Sequence, residues 1–191
     1  MVKELAMRNR SYRRFYEEKS LSREELADMV DCARYTACGG NNQLLRYMLV
    51  CGEKENEKLF PNLRFAGYLP EWDGPKKGER PAGYIVILSP AEAAAKTAWD
   101  EGIAAQTILL SAVEKGYGGC ILANIDRQRI AEEFSIGSDY AVKLVIALGV
   151  PKEEVVIEDI NPGEDIRYYR DEKQVHHVPK IRTESLIYRA E

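Results

Sequence analysis

Residues 98–123 read AWDEGIAAQTILLSAVEKGYGGCILA. The spacing predicts the main helix from about 98 to 115. Ile103, Ala104, Ala105, Ile108, Leu109, Leu110 and Ala112 put apolar side chains on more than one side, which places this helix centrally. Gly116 is its C-terminal stop, and 120–123 reads as a short strand. Gly118 and Gly119 allow a flat ligand to approach the backbone, or simply make a tight turn. They are not a dinucleotide fingerprint, because they follow a helix and the pattern G-x-G-x-x-G is absent.

Outward from this stretch, 46–51 (RYMLVC), 84–88 (YIVIL) and 142–148 (VKLVIAL) read as buried strands, and 155–160 as an edge strand. A first helix covers 3–8, and the irregular basic segment 9–15 follows. Ser22 and Glu25 form a capping box, flanked by Leu21 and Leu26 as a hydrophobic staple. Leu26, Met29, Val30 and Ala33 then share one buried helical face, ending near Thr36. A short helix fits 53–59, and Asp126 caps another through Phe134. Gly, Pro and Trp72 break all periodicity in 61–81, which reads as a loop or lid. From 161 onward the chain is a polar tail without an obvious core, and such an arm must dock on something. The sum is one α+β layered domain over 1–191.

The chain has 191 residues, enough for one domain with a full core. Its net charge of −4 argues against a general nucleic-acid binder and leaves room for a local anion site. No run is long and apolar enough to span a membrane, and no secretion signal is visible at the start. Cys32, Cys38, Cys51 and Cys120 lack paired spacing and read as reduced thiols of a cytoplasmic protein, with no metal site expected.

Four constellations carry chemistry. Arg8, Arg10, Ser11, Arg13 and Arg14 make a cradle for a phosphate dianion, or else a solvated basic stretch. Asn41 and Gln43 suit the polar edge of a heteroaromatic ring, or plain turn chemistry. The third is the glycine turn leading into Leu122, Ala123 and Asn124. The fourth is Lys180-x-Arg182, after the adjacent His176 and His177, whose bland reading is a solvated charge pair.

Taken in order, these pieces resemble the nitroreductase family of FMN-dependent NAD(P)H oxidoreductases. Asn9 to Phe15 (NRSYRRF) is similar to the family's R-R-S-x-R-x-F. Ala37 to Tyr47 (ACGGNNQLLRY) is similar to P-S-x-x-N-x-Q-P-W-R-F. The helix from Asp100, with the glycine turn behind it, matches D-x-G-x-A-x-Q and G-L-G-S-C. Ile146 to Pro151 and Lys180-x-Arg182 complete the set. Asn9 stands where the family places an arginine, so Arg8 is taken to compensate, and Leu44-Leu45 replaces Pro-Trp.

The resemblance implies a mostly antiparallel sheet flanked by helices and a homodimer in which the tail 161–191 wraps the partner. It implies that Arg10, Ser11 and Arg13 hold FMN, with Lys180 and Arg182 closing over its phosphate. Asn41 and Gln43 would face the ring, from this chain or its partner, and the backbone of Leu122, Ala123 and Asn124 would line it near N5. Arg13 would stabilise the reduced flavin. The implied reaction is ping-pong hydride transfer from NAD(P)H to a small electron-poor acceptor such as a nitroaromatic or quinone, with no catalytic acid or base. A dehalogenase-like or flavin-fragmenting member and a non-catalytic FMN-binding protein are the alternatives.

Overall fold

The Ser22 hydroxyl accepts the Glu25 backbone N–H at 3.1 Å, and the Glu25 carboxylate accepts the Ser22 N–H at 2.8 Å. This box starts α2 (Arg23–Arg34), which buries Leu26, Met29 and Ala33. The computed structural model describes residues 1–188. Around α2 stand α1 (Val2–Arg8), α3 (Glu53–Leu59) and the long α4 (Ala98–Glu114), followed by α5 (Arg127–Glu133) and α6 (Thr183–Leu186). Gly116, at φ +84°, ends the turn after α4 in a conformation that a Cβ disfavours.

The main sheet takes β1 (Arg46–Cys51), β2 (Gly83–Pro90), β4 (Tyr140–Gly149) and β3 (Gly118–Leu122) in that order, all antiparallel. β2 shows why it is central. Ile85 and Ile87 face one core with α2 and α4, while Tyr84, Val86 and Leu88 face a second core with Leu59, Leu122 and Ile130. Every side chain of 83–89 is buried, as a strand covered on both faces requires.

Three expectations are corrected. The first strand is an edge strand, with only Val50 buried, because nothing pairs with its outer side among the described residues. The strand expected at 120–123 begins two residues earlier, at Gly118. The central helix is not covered all round: Trp99 and Ile103 are 84% and 43% exposed on its outer face.

The tail forms a second sheet with β5 (Val155–Ile160), in the order β5, β7 (His176–Ile181), β6 (Tyr169–Arg170). β5 and β7 are parallel. The tail therefore packs on its own chain in this structure, and His176 is only 1% exposed. Among the described residues no helix is long and apolar enough to cross a membrane, and no cluster of His, Cys, Asp and Glu could hold a metal ion.

Candidate functional site

The basic segment is an extended strip zipped to the main sheet. Ser11 bridges Gly119, and Phe15 bridges Pro151. The Tyr12 N–H donates to the Gly119 carbonyl at 3.0 Å, and Tyr16 N–H to the Val150 carbonyl at 2.9 Å. With Phe15 fully buried as its anchor, the strip cannot rotate. Its alternate side chains are held on fixed sides.

Arg13 is 7% exposed. Its Nη1 donates to the Ser11 carbonyl at 3.0 Å and lies 3.2 Å from His176 Nε2. Its guanidinium sits 4.6 Å from the centre of the Tyr168 ring. Glu153 accepts the backbone N–H of Arg13 and takes Arg170 at 3.0 Å. Burial, with Arg13 and Arg170 nearby, pulls His176 down to about 4, so its ring is neutral at pH 7. Burial also lowers Arg10.

Arg10, Ser11 and Arg13 meet Lys180 of β7 in one cavity of about 310 Å³ between the strip, α4 and the tail. Asn9, Gln106, Ile121, Tyr168 and His176 complete much of its wall. The wall thus carries three cationic side chains and no carboxylate. The buried Nε atoms of Arg10 and Arg13 and the Nδ1 of His176 have no hydrogen-bond partner. A small polar anion with several acceptor oxygens fits that donor set.

The lid and the tail clasp each other beside this cavity. Tyr68 and Tyr168 pack at 5.0 Å, and Tyr168 accepts the Tyr68 N–H at 3.2 Å. Arg170 stacks on Trp72 at 4.1 Å. Sequence reasoning missed His176, Tyr168 and Gln106. The adjacent histidines drew attention only as metal ligands, and nothing local marks a tail aromatic that folds back.

The other expected residues lie outside the cavity. Arg8, expected to compensate for Asn9, is not among the lining residues: its Nη2 donates to the Val113 carbonyl at 3.3 Å, while Asn9 itself lines the cavity. Arg182 turns to Asp159 at 3.4 Å. Asn41 and Gln43 sit in a loop with left-handed backbone, at φ +53° and +49°. Asp100 of α4 pins that loop by accepting the Gly39 N–H at 2.9 Å. Gln43 lines a different cavity with Asp100 and Ala104. Leu122 is core, and the exposed Ala123 and Asn124 give their carbonyls to Arg127 and the Arg64 N–H. Gly118 and Gly119 are required by the protein's own packing. A Cβ on Gly118 would meet Pro151 at 2.7 Å, and one on Gly119 would meet Leu109 at 2.7 Å.

Residues 70–150 match the model of the Nitroreductase family. An FMN-dependent nitroreductase from Clostridium difficile is 25% identical, with a TM-score of 0.64 over 81% of this chain and 89% of that one. The NADPH:FMN oxidoreductase from Vibrio harveyi, complexed with NAD+, is 19% identical, with a TM-score of 0.64 over 88% and 78% of the two chains. A protein of Exiguobacterium sibiricum in complex with FMN is 17% identical, with a TM-score of 0.64 over 79% and 88%. No curated protein matches the sequence. The motifs, the match over 70–150 and the shared fold agree, so the resemblance of this chain to the nitroreductase family stands, and its fold is the nitroreductase fold.

Proposed function

We propose that the chain is an FMN-dependent oxidoreductase that passes hydride from NADH or NADPH to an electron-poor acceptor of nitroaromatic or quinone type. The observation that carries this reading is the convergence of Arg10, Ser11, Arg13 and Lys180, from opposite ends of the chain, on a cavity without a carboxylate. Arg10, with an unpartnered nitrogen, and Lys180 on the same wall fit the phosphate end of FMN. The names of the structural neighbours, which include FMN-dependent and NADPH-using proteins, support the same cofactor and donor.

Bound FMN would supply the hydride-accepting and hydride-donating centre. The protein's part is position and charge. Arg10 and Lys180 hold the phosphate. Arg13, fixed by Ser11 and His176, places positive charge where a reduced ring carries negative charge. Tyr68 and Trp72 of the lid pack on Tyr168 and Arg170 beside the pocket and would shield one side of it.

The cavity is small for the whole cofactor, and the active form is proposed to be a homodimer. Asn41 and Gln43, which line no part of this cavity, would then meet the ring held by a second copy. The backbone at Leu122, Ala123 and Asn124 lies next to Ile121 of the wall and would border the ring near N5. The test is the visible spectrum of the purified protein. Flavin absorbance that bleaches with NADH or NADPH, and is lost in Arg10→Ala, is expected. Full flavin retention in that variant overturns the phosphate assignment.

A further inference from the structure

None of the described residues lining the cationic cavity belongs to the 61–81 lid. Tyr168 of the tail lines that cavity and touches the lid as well. Its place follows from the alternation of an extended chain. Tyr168 and Arg170 are two residues apart and both meet the lid, at Tyr68 and Trp72. Tyr169, between them, faces the other way and stacks on His177 at 4.7 Å. Arg170 lines no part of the cavity and is tied to the buried Glu153. Tyr168 is therefore the member of this pair that joins lid and cavity.

The two ends of Tyr168 make different contacts. Its hydroxyl accepts the Tyr68 backbone N–H at 3.2 Å. Its ring lies against the Arg13 guanidinium, 4.6 Å from ring centre to Cζ, and 5.2 Å from the His176 ring. Arg13 needs that support. Its Nη1 donates to the Ser11 carbonyl and lies beside His176, but its buried Nε has no partner. A guanidinium held along one edge is free to swing unless something covers its face, and an aromatic ring does so with a favourable electrostatic contact.

We propose that Tyr168 is a positioning residue with two separable tasks. Its ring fixes the Arg13 charge on the cavity wall, and its hydroxyl latches the lid beside it. The first task rests on the FMN reading above, in which Arg13 serves the reduced ring; the latch does not.

The test compares Tyr168→Phe with Tyr168→Leu. Each purified protein is titrated with oxidised and with reduced FMN, and hydrogen exchange of the Tyr68 amide is followed by NMR. The unaltered chain is expected to prefer reduced FMN. Tyr168→Leu should shrink that preference about tenfold, which is about 30 mV for a two-electron couple. Tyr168→Phe keeps the ring and should restore it to within about twofold. Both variants should exchange the Tyr68 amide about fivefold faster, for the lost hydrogen bond. Tyr168→Met, which fills space without a ring, replaces the leucine variant if that one fails to fold. A mere packing role would lower Tm in Tyr168→Leu and leave the ratio of the two FMN affinities unmoved, which overturns the ring task. Equal losses of preference in the phenylalanine and leucine variants overturn it too. Unchanged Tyr68 exchange in Tyr168→Phe overturns the latch. If the unaltered chain binds neither form of FMN, the FMN reading falls and the ring task with it, while the amide exchange still decides the latch. A changed ratio cannot be mistaken for that failure, because it is read only on protein that binds flavin.

Discussion

Arg14 holds Glu79 at two points, with Nε donating to Oε2 at 2.9 Å and Nη2 to Oε1 at 2.7 Å. Lys152 adds a second cation at 3.4 Å, and the Glu79 carbonyl accepts the Phe15 N–H at 3.0 Å. The end of the 61–81 segment is thus fastened to the strip that carries the cationic cavity. This part of the lid is anchored to the strip, while Tyr68 and Trp72 fasten its middle to the tail.

The grip has a pH signature. The Arg14 hydrogen bonds hold the Glu79 carboxyl at about 2, against 4.5 for the free group. Between those values the unfolded chain binds a proton that the folded one refuses. The stabilisation is therefore complete above about 4.5 and is lost as pH falls toward 2. Glu79→Gln is expected to cost about 2 kcal/mol at pH 7, or ~4–8 °C in Tm. Denaturant melts across pH 2–5 should show a flatter acid limb in the variant, and equal slopes would remove Glu79 from the account.

His176 adds an acid lability of its own. Its pKa of about 4 in the fold lies below the usual 6.5, so the unfolded chain takes up the proton first as pH falls. Stability should therefore decline between about 6.5 and 4 and level off below, with no cost above 6.5. His176→Asn should flatten the stability curve in that window. The His176 NMR signal, told apart from His177 by its loss in His176→Asn, titrating near 6.5 in the native protein would show that the ring is not desolvated against Arg13.

Lys180 and Arg182 are two residues apart and should behave differently. Lys180 lines the cationic cavity, whereas Arg182 is paired with Asp159 and is about half exposed. Lys180→Ala is expected to weaken FMN retention about tenfold, the loss of one charge-assisted contact. Arg182→Ala should change it by less than about twofold. Equal losses, measured by flavin released on dialysis, would mean that Arg182 swings inward when the cofactor binds.

The glycine turn after α4 offers a packing test. A Cβ on Gly119 would strike the Ala147 carbonyl oxygen and come within 2.7 Å of Leu109 and 2.9 Å of Leu148. Backbone cannot retreat, so Gly119→Ala should cost about 3 kcal/mol. Gly116→Ala meets no atom and should cost only about 1 kcal/mol, for its left-handed φ. If thermal melts rank the two the other way, ligand approach and not core packing explains Gly119.

Local signals carried the fold well. The Ser22 box, the Asp126 cap and the apolar runs 84–88 and 142–148 each act within a few residues, and their elements formed where the pattern put them. The cationic cavity was half legible, since Arg10, Ser11 and Arg13 are close in sequence and Lys180 shares their charge. His176 and Tyr168 were not, because their role depends on a parallel pairing between β5 and β7 that no short-range pattern encodes. The edge position of β1 was hidden for the same reason: RYMLVC is apolar enough for a central strand, and only the partners decide.

The exposed face of α4 argues for a second copy. Trp99 and Ile103 stand one turn apart and are 84% and 43% exposed, although large apolar side chains on a helix are ordinarily covered. Asp100, between them in sequence, turns inward and fixes the loop of Asn41 and Gln43 through Gly39. A partner seated on Trp99 and Ile103 would therefore lie beside the loop whose amides are proposed to reach its flavin. Ile103→Glu puts a charge into such an interface while leaving this chain's own core intact. The expected outcome is a shift from dimer to monomer by light scattering, with at least a tenfold loss of flavin affinity, the scale of an uncompensated charge in a dry contact. A dimer that survives the substitution with its flavin would place the interface on another face of the molecule.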